Sequence, residues 1–429
     1  MPTLRDTLRV GERQRPSGLA VTLVISLLLV LERVWPRLYG HALTTDPAVY
    51  MAGGMQFAHG QLPYVHLWDI KPPAIHETVG LAALVTGRNP ELTYIVVLAL
   101  TVTTVIAMVG TTFRLVEDLT GDAAAASVGA LSLLVYPETI QMLTGGPRVK
   151  YFAAAFTLAA VYCYRLDRPV ATGVTAGLAA AYWQPAVLVV VGVAVGVVVE
   201  DRESPRLSRR RVGILGGLLA TAAVVVAPWV LTGKLTPLVG QTVLAPVLFS
   251  SGAGPATAAP NIAARLGWFG VGAVGFGVVG IAVTLRRVGR RDERGVWLIA
   301  FVGASALGLT TVQHGGSDLI WTVAMLAPCV GLAVAQFPRR LPIGPTVIPV
   351  TLLLVGLVIV GALVGGVVGG DRYTDASLAD TYWDGKSTAA DCHWRMSGHE
   401  RAYIERTGVT DRDTCWGTRV DEGLDAILG

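Results

Sequence analysis

Apolar residues in this chain gather into long, nearly uninterrupted runs, and polar residues into the short stretches between them. Runs that approach the roughly 30 Å hydrocarbon core, for which about 20 residues suffice, recur at about 17–38, 91–113, 123–137, 150–164, 169–183, 186–200, 212–231, 266–285, 295–312, 319–335 and 346–369. The pattern predicts an all-α, polytopic membrane protein with about 11 transmembrane helices. One stretch breaks it. Between Thr44 and Glu77 the chain reads TTDPAVYMAGGMQFAHGQLPYVHLWDIKPPAIHE, polar and punctuated by proline.

Composition agrees with the pattern: hydrophobic residues fill 52% of 429 positions and charged residues 15%, and the mean hydropathy is +0.56, all far from a soluble domain. The positions of the arginines give an orientation. The N-terminal tail holds Arg5, Arg9, Arg13 and Arg15, and thereafter every second connection is basic: Arg114, then Arg165 and Arg168, then 202–211 (DRESPRLSRRR), then 286–294 (RRVGRRDER), then Arg339 and Arg340. Positively charged connections stay in the cytoplasm, so the N-terminus is expected inside and the C-terminus outside. The alternation holds only if the helix after Pro73 lies along or dips into the outer leaflet instead of crossing. The net charge of +4 then reports membrane orientation, and nucleic acid is not an expected partner.

The first outer loop, about 39–90, contains two helix starts. Asp46-Pro47 offers an acceptor side chain and a proline at the first turn, and Met51, Met55, Ala58 and Leu62 follow at helical spacing, a stripe suited to a membrane surface. Gly60 ends that helix. Lys71-Pro72-Pro73 opens the second, placing a cation where unpaired backbone donors already favour an anion. A phosphate is the expected guest.

Residues 1–370 form the expected transmembrane domain, with its first run read as a retained anchor. Residues 371–429 differ: twelve acids stand against seven bases, with Trp383, Trp394 and Trp416 and no apolar span. This acidic segment is expected to be an extracytoplasmic tail or small cap. Cys392 and Cys415 both lie in it and, outside the cytoplasm, are expected to be bridged; Cys163 and Cys329 fall inside spans and read as small hydrophobes. No C-x-x-C or His-rich cluster points to a metal, no cofactor is implied, and no Gly-rich phosphate loop appears on the inner face.

On the outer face the predicted topology gathers Asp46, His59, His66, Asp69, Lys71, His76 and Glu77 with Glu138, Arg148 and Lys150 of the next outer loop. Trp183 and Gln184 end a further span, and His314 and Asp318 stand in QHGGSDLIW. The acid of TTDPAVYMAGG (Asp46), the G-x-x-P-Y turn (Gly60, Pro63, Tyr64) and the W-D-x-K-P-P run (Trp68, Asp69, Lys71, Pro72, Pro73) resemble, in order and spacing, the GT-C class of polytopic glycosyltransferases. These use a polyprenyl-phosphate sugar and include the protein O-mannosyltransferases and the lipid A aminoarabinose transferases. A looser echo runs from Arg168-Pro169 through Ala176 to Pro185, where Gln184 stands at a position at which that class often has lysine. Where the class often has an acid opening the fourth span, this chain has Arg148 and Lys150.

The resemblance implies a membrane enzyme that moves a sugar, a hexose such as mannose, from a dolichyl or polyprenyl phosphate to an extracytoplasmic glycan, lipid or protein acceptor with inversion. The acidic, lysine-poor tail points to a salt-rich exterior and a dolichyl carrier. Asp46 is the expected general base, since a hydroxyl needs a carboxylate to take its proton. Asp69 is assigned with it, orienting Lys71 or binding sugar hydroxyls. Lys71, Arg148 and Lys150 would hold the donor phosphate, and Tyr64, Trp68, Gln184 and His314 would meet sugar or acceptor. Each also has a plainer reading: Asp46 as a helix cap, Lys71 as an interfacial cation, Asp69 as its ionic partner, Arg148 and Lys150 as headgroup contacts, the loop histidines as ordinary surface groups. The competing class is a transporter or flippase of lipid-linked sugars, which would place ionisable residues within spans and show two halves of similar pattern; the charges here lie near span ends. A subunit that only binds a partner through its tail would leave the clustered loop charges unexplained.

Overall fold

A computed structural model describes residues 15–34, 45–65, 67, 69–136, 139–140, 143, 146–200, 208–248, 255–287, 295–310 and 318–336. The regular structure among the described residues is all helical, and its helices are joined by turns and by the longer non-helical loop that carries Tyr64, Asp69 and Lys71. The apolar run 346–369, the acidic tail with Cys392 and Cys415, and the site candidates His66, Trp68, Glu138 and His314 lie outside them.

Every apolar run from the first to 319–335 coincides with a helix: α1 (Arg15–Val34), then, after the first long loop, α4 (Pro90–Thr120), α5 (Ala123–Val135), α6 (Val149–Arg165), α7 (Pro169–Tyr182), α8 (Val187–Glu200), α9 (Arg209–Leu231), α12 (Pro255–Arg287), α13 (Val296–Thr310) and α14 (Asp318–Val334). Three segments among the described residues, Pro90–Thr120, Arg209–Leu231 and Gly270–Arg287, are long and apolar enough to cross a membrane by themselves. The first loop supplies α2 (Thr45–Ala58) and α3 (Ala74–Val85). Short pieces α10 (Leu235–Val239), a π turn (Gly240–Leu244) and α11 (Ala245–Leu248) follow α9.

Helix α14 is the hub. Leu319 to Ala333 are buried along its whole circumference, and it packs against α4, α5, α6, α12 and α13. By contrast α9 turns Val212, Leu215, Leu219, Val224, Val230 and Leu231 outward, as a helix bathed in lipid does.

Helices α2 and α3 cross at close range because of glycine. A Cβ at Gly54 would lie 2.3 Å from the Val79 Cβ, so only hydrogen fits there. That contact fixes where α2, and with it Asp46, stands over the bundle.

The bundle has two chemically different ends. At one, Arg165 Nε donates to Asp118 Oδ2 at 2.8 Å, Arg210 lies 3.5 Å from Asp167, Arg287 donates to the Leu119 carbonyl at 3.0 Å, and the Arg210 guanidinium sits 4.3 Å above the Tyr164 ring. Arg165, Arg210 and Arg287, from three of the basic connections, are therefore together. The other end carries Asp46, Asp69 and Lys71. Helix α6 connects the two, from Arg148 to Arg165, and its 17 residues separate them by about 25 Å.

Candidate active site

Asp46 lies in the first turn of α2, where the helix dipole favours an anion. Its side chain remains 42% exposed, whereas that of Arg148 is only 9% exposed, so the carboxylate is the accessible member of the pair. Arg148 Nη1 approaches Asp46 Oδ2 to 3.5 Å. Lys150, two residues on at the start of α6, is buried. Burial pushes the Asp46 carboxyl up, but Lys150, Arg148 and Lys71 together outweigh it and hold the group below the usual aspartate value. An acid and three cations thus share one electrostatic site.

Lys71 occupies the loop just before α3. The N-terminus of α3 has Pro73 at its cap and no side-chain cap, so its first-turn donors are free of the competition a Ser or Asp cap would bring. Asp69 shapes this loop from within. Its Oδ1 accepts the Lys71 backbone N–H at 3.0 Å, and its Oδ2 lies 2.9 Å from His76 Nε2. His76 is fully buried, edge-on to Tyr50 at 6.0 Å and to Tyr64 at 5.9 Å. Both oxygens of Asp69 are therefore engaged, and the side chain is itself buried.

Tyr64 was expected to meet sugar, but the structure buries it completely. Its backbone takes a left-handed conformation, φ +69°, which lets its N–H bond the Leu67 carbonyl at 2.9 Å and close the turn. Its hydroxyl donates to the Lys71 carbonyl at 2.6 Å. The ring packs on Trp229 at 5.6 Å, and Trp229 Nε1 donates to the Pro63 carbonyl at 3.0 Å. Helix α9 thus latches the G-x-x-P-Y turn. Gln184 likewise bonds backbone: its Nε2 donates to the Ile70 carbonyl and, at 3.1 Å, to the Thr242 carbonyl.

Gln241 was not singled out by sequence reasoning. It is fully buried in the π turn, its Oε1 accepts the Asp69 N–H at 3.1 Å, and its Nε2 donates to the Tyr64 carbonyl at 2.6 Å. The available signal was one amide inside the apolar run PLVGQTVLAP, since a buried polar side chain must be paired. Glu77, on α3, stands four and seven residues before the exposed Leu81 and Leu84 and so heads their stripe. Burial pushes its carboxyl up to about 8. Among the described residues no group of three or more His, Cys, Asp or Glu forms a metal site.

Comparison with known proteins bears on this arrangement. A profile of the DolP-mannose mannosyltransferase family matches residues 60–226. A dolichol phosphate-mannose mannosyltransferase of Haloferax volcanii is 24% identical over 227 residues, which is 53% of this chain and 48% of that protein. The chain therefore spans about half the length of the relative it matches. Among solved structures, ArnT from Cupriavidus metallidurans bound to undecaprenyl phosphate superposes with a TM-score of 0.51 at 14% identity, covering 83% of this chain and 66% of that one. The archaeal oligosaccharyltransferase AglB from Archaeoglobus fulgidus, in complex with an inhibitory peptide and a dolichol-phosphate, superposes at 0.56 with 13% identity, covering 92% and 60%.

The fold is that of ArnT and AglB. The resemblance to the GT-C glycosyltransferases read from Asp46, the G-x-x-P-Y turn and the W-D-x-K-P-P run therefore holds at the level of the fold. The family match begins at Gly60, so it takes in the Tyr64 turn, Asp69, Lys71, Arg148, Lys150 and Gln184. Asp46 stands before it.

Proposed function

We propose that this chain is a multi-pass membrane glycosyltransferase that moves a hexose such as mannose from a dolichyl or polyprenyl phosphate to an extracytoplasmic acceptor, with inversion. One observation carries the reading: a partly open carboxylate, Asp46, lies 3.5 Å from Arg148 within the electrostatic reach of Lys150 and Lys71, and Lys71 precedes an uncapped helix start.

In this reaction an acceptor oxygen attacks the anomeric carbon while the bond from that carbon to the phosphate oxygen breaks. The electron pair stays on the leaving phosphate. Lys71, Arg148 and Lys150 offset that charge, and because they are already in place no reorganisation accompanies the reaction. Asp46 takes the acceptor proton. The same cations tune the base: without donor they depress its proton affinity, and a phosphate that engages them returns it. A dolichyl phosphate donor thus makes Asp46 a stronger base where one is needed.

Asp69, with both carboxylate oxygens held, orients the Lys71 loop. Trp68 and His314 lie outside the described residues and are retained as candidates for sugar or acceptor contact on sequence grounds. The gathering of arginine turns at the end opposite Asp46 supports an orientation with that end in the cytoplasm, the N-terminus inside, the C-terminus outside, and the active site on the extracytoplasmic face. The 371–429 tail would then lie on the same side as Asp46.

Transfer is tested with purified membranes and dolichyl phosphate carrying radiolabelled mannose. Label passing to an extractable acceptor supports the reading. Label that only crosses the bilayer on its carrier favours the flippase alternative.

A further inference from the structure

The segment that carries Lys71 has a backbone that cannot satisfy itself. Pro72 and Pro73 have no N–H, and the residues before them belong to neither helix nor sheet, so their polar groups need partners from elsewhere. Side chains supply them. The Asp69 N–H is taken by Gln241 at 3.1 Å, the Ile70 carbonyl by Gln184, the Lys71 N–H by Asp69 at 3.0 Å, and the Lys71 carbonyl by the Tyr64 hydroxyl at 2.6 Å. The Lys71 ammonium makes no hydrogen bond or ion pair with any described residue. Its backbone is held while its charge meets no hydrogen-bond or ion-pair partner among the described residues.

Two of these partners come from outside the first loop. Gln184 follows α7 and Gln241 sits in the π turn after α9, and Gln184 also holds the Thr242 carbonyl at 3.1 Å, so it steadies the turn that carries Gln241. Glutamine suits the task because one side chain offers both donor and acceptor. Gln241 uses both, to Asp69 and to Tyr64. A π turn is a feature often found at functional sites, and this one presents Gln241 inward while its neighbour Val243 is 52% exposed.

We propose that Gln241 and Gln184 are positioning residues that, through Asp69, Tyr64 and Ile70, hold the loop that carries Lys71 so that its ammonium meets the donor phosphate without an ordering cost at the moment of binding. The inference rests on the reading that Lys71 binds that phosphate. It differs from the expectation that Gln184 contacts sugar or acceptor, for the amide is turned to backbone.

A double-mutant cycle tests it, with dolichyl phosphate as the probe and the full chain purified in detergent. Gln241→Met keeps length and removes both hydrogen bonds. Acting through Lys71, it weakens dolichyl phosphate binding about tenfold in the native background and by less than about twofold once Lys71→Ala is present, a coupling in the usual range for residues of one network. Equal losses in both backgrounds, or no loss in either, overturn the positioning role. Lys71→Ala that binds dolichyl phosphate like the native chain overturns the underlying reading instead. Gln184→Met, at a half-buried position, repeats the cycle should Gln241→Met not yield folded protein, and the same two outcomes decide it.

Discussion

Arg148 and Asp46 meet across the gap between α6 and α2, Nη1 to Oδ2 at 3.5 Å, with the arginine buried and the aspartate open. The pairing joins two helix starts about a hundred residues apart in the chain. It also makes the proton affinity of Asp46 depend on its cationic neighbours.

A consequence for pH follows. Lys150, Arg148 and Lys71 hold the Asp46 carboxyl below its ordinary value against the opposing effect of burial. An acid depressed in the folded state contributes stability above its unfolded pKa and loses it as pH falls through the folded one. The acid limb of the transfer rate should accordingly lie below the ordinary aspartate range, and Lys150→Met should move it upward. A pH–rate profile of kcat/KM on the two proteins measures this; an unmoved limb contradicts the coupling.

Glu77 titrates in the opposite sense. Its carboxyl is pushed up to about 8 by burial, so between the unfolded value near 4.5 and that pH the folded protein holds a proton the unfolded chain has released. Stability is full below that window and declines as pH rises through it. Glu77→Gln abolishes the titration. Thermal midpoints in detergent should therefore coincide for native and Gln proteins near pH 4.5 and separate in favour of Gln near pH 8.

The α2–α3 crossing is sensitive to volume. With Val79 Cβ only 2.3 Å from where a Cβ of residue 54 would stand, Gly54→Val forces the helices apart and should cost about 1–3 kcal/mol. Because α2 carries Asp46, transfer should fall as well. The double variant Gly54→Ala with Val79→Gly removes both Val79 atoms that crowd that position, and a thermal midpoint and rate restored to those of Val79→Gly alone distinguish crowding from loss of glycine itself.

Topology is open to direct labelling. Cysteines placed in 202–211 and 286–294 should react with an impermeant thiol reagent only after permeabilisation, and those in 233–265 from outside. Reaction of the arginine turns in intact cells contradicts the orientation.

Much of the fold was legible because apolar runs leave few alternatives in a bilayer: the run at 212–231 is the helix Arg209–Leu231, and the two helix starts of the first loop appear at Thr45 and Ala74. Asp46, Lys71, Arg148 and Lys150 were visible as charges set in the loops of an otherwise apolar chain. The internal scaffold was not. Tyr64 and Gln184 read as ligand contacts because an aromatic and an amide beside a motif suggest a pocket, yet both satisfy backbone groups. Which carbonyl lacks a partner is a property of the folded loop. Gln241 was invisible for the same reason: its two bonds reach 172 and 177 residues back, and no local pattern records them.

The central claim is that Asp46 is the base and Lys71 holds the phosphate, and measuring dolichyl phosphate binding separately from mannosyl transfer on purified Asp46→Asn and Lys71→Ala proteins tests it most directly. Asp46→Asn keeps the size of the side chain but takes up no proton, so binding should persist while transfer falls roughly 10²–10⁴-fold. Lys71→Ala removes a contact made in the bound state and strengthened as the phosphate departs, so binding and transfer should both fall. An Asp46→Asn protein that transfers at the native rate, or a Lys71→Ala protein that binds dolichyl phosphate unchanged, contradicts the account.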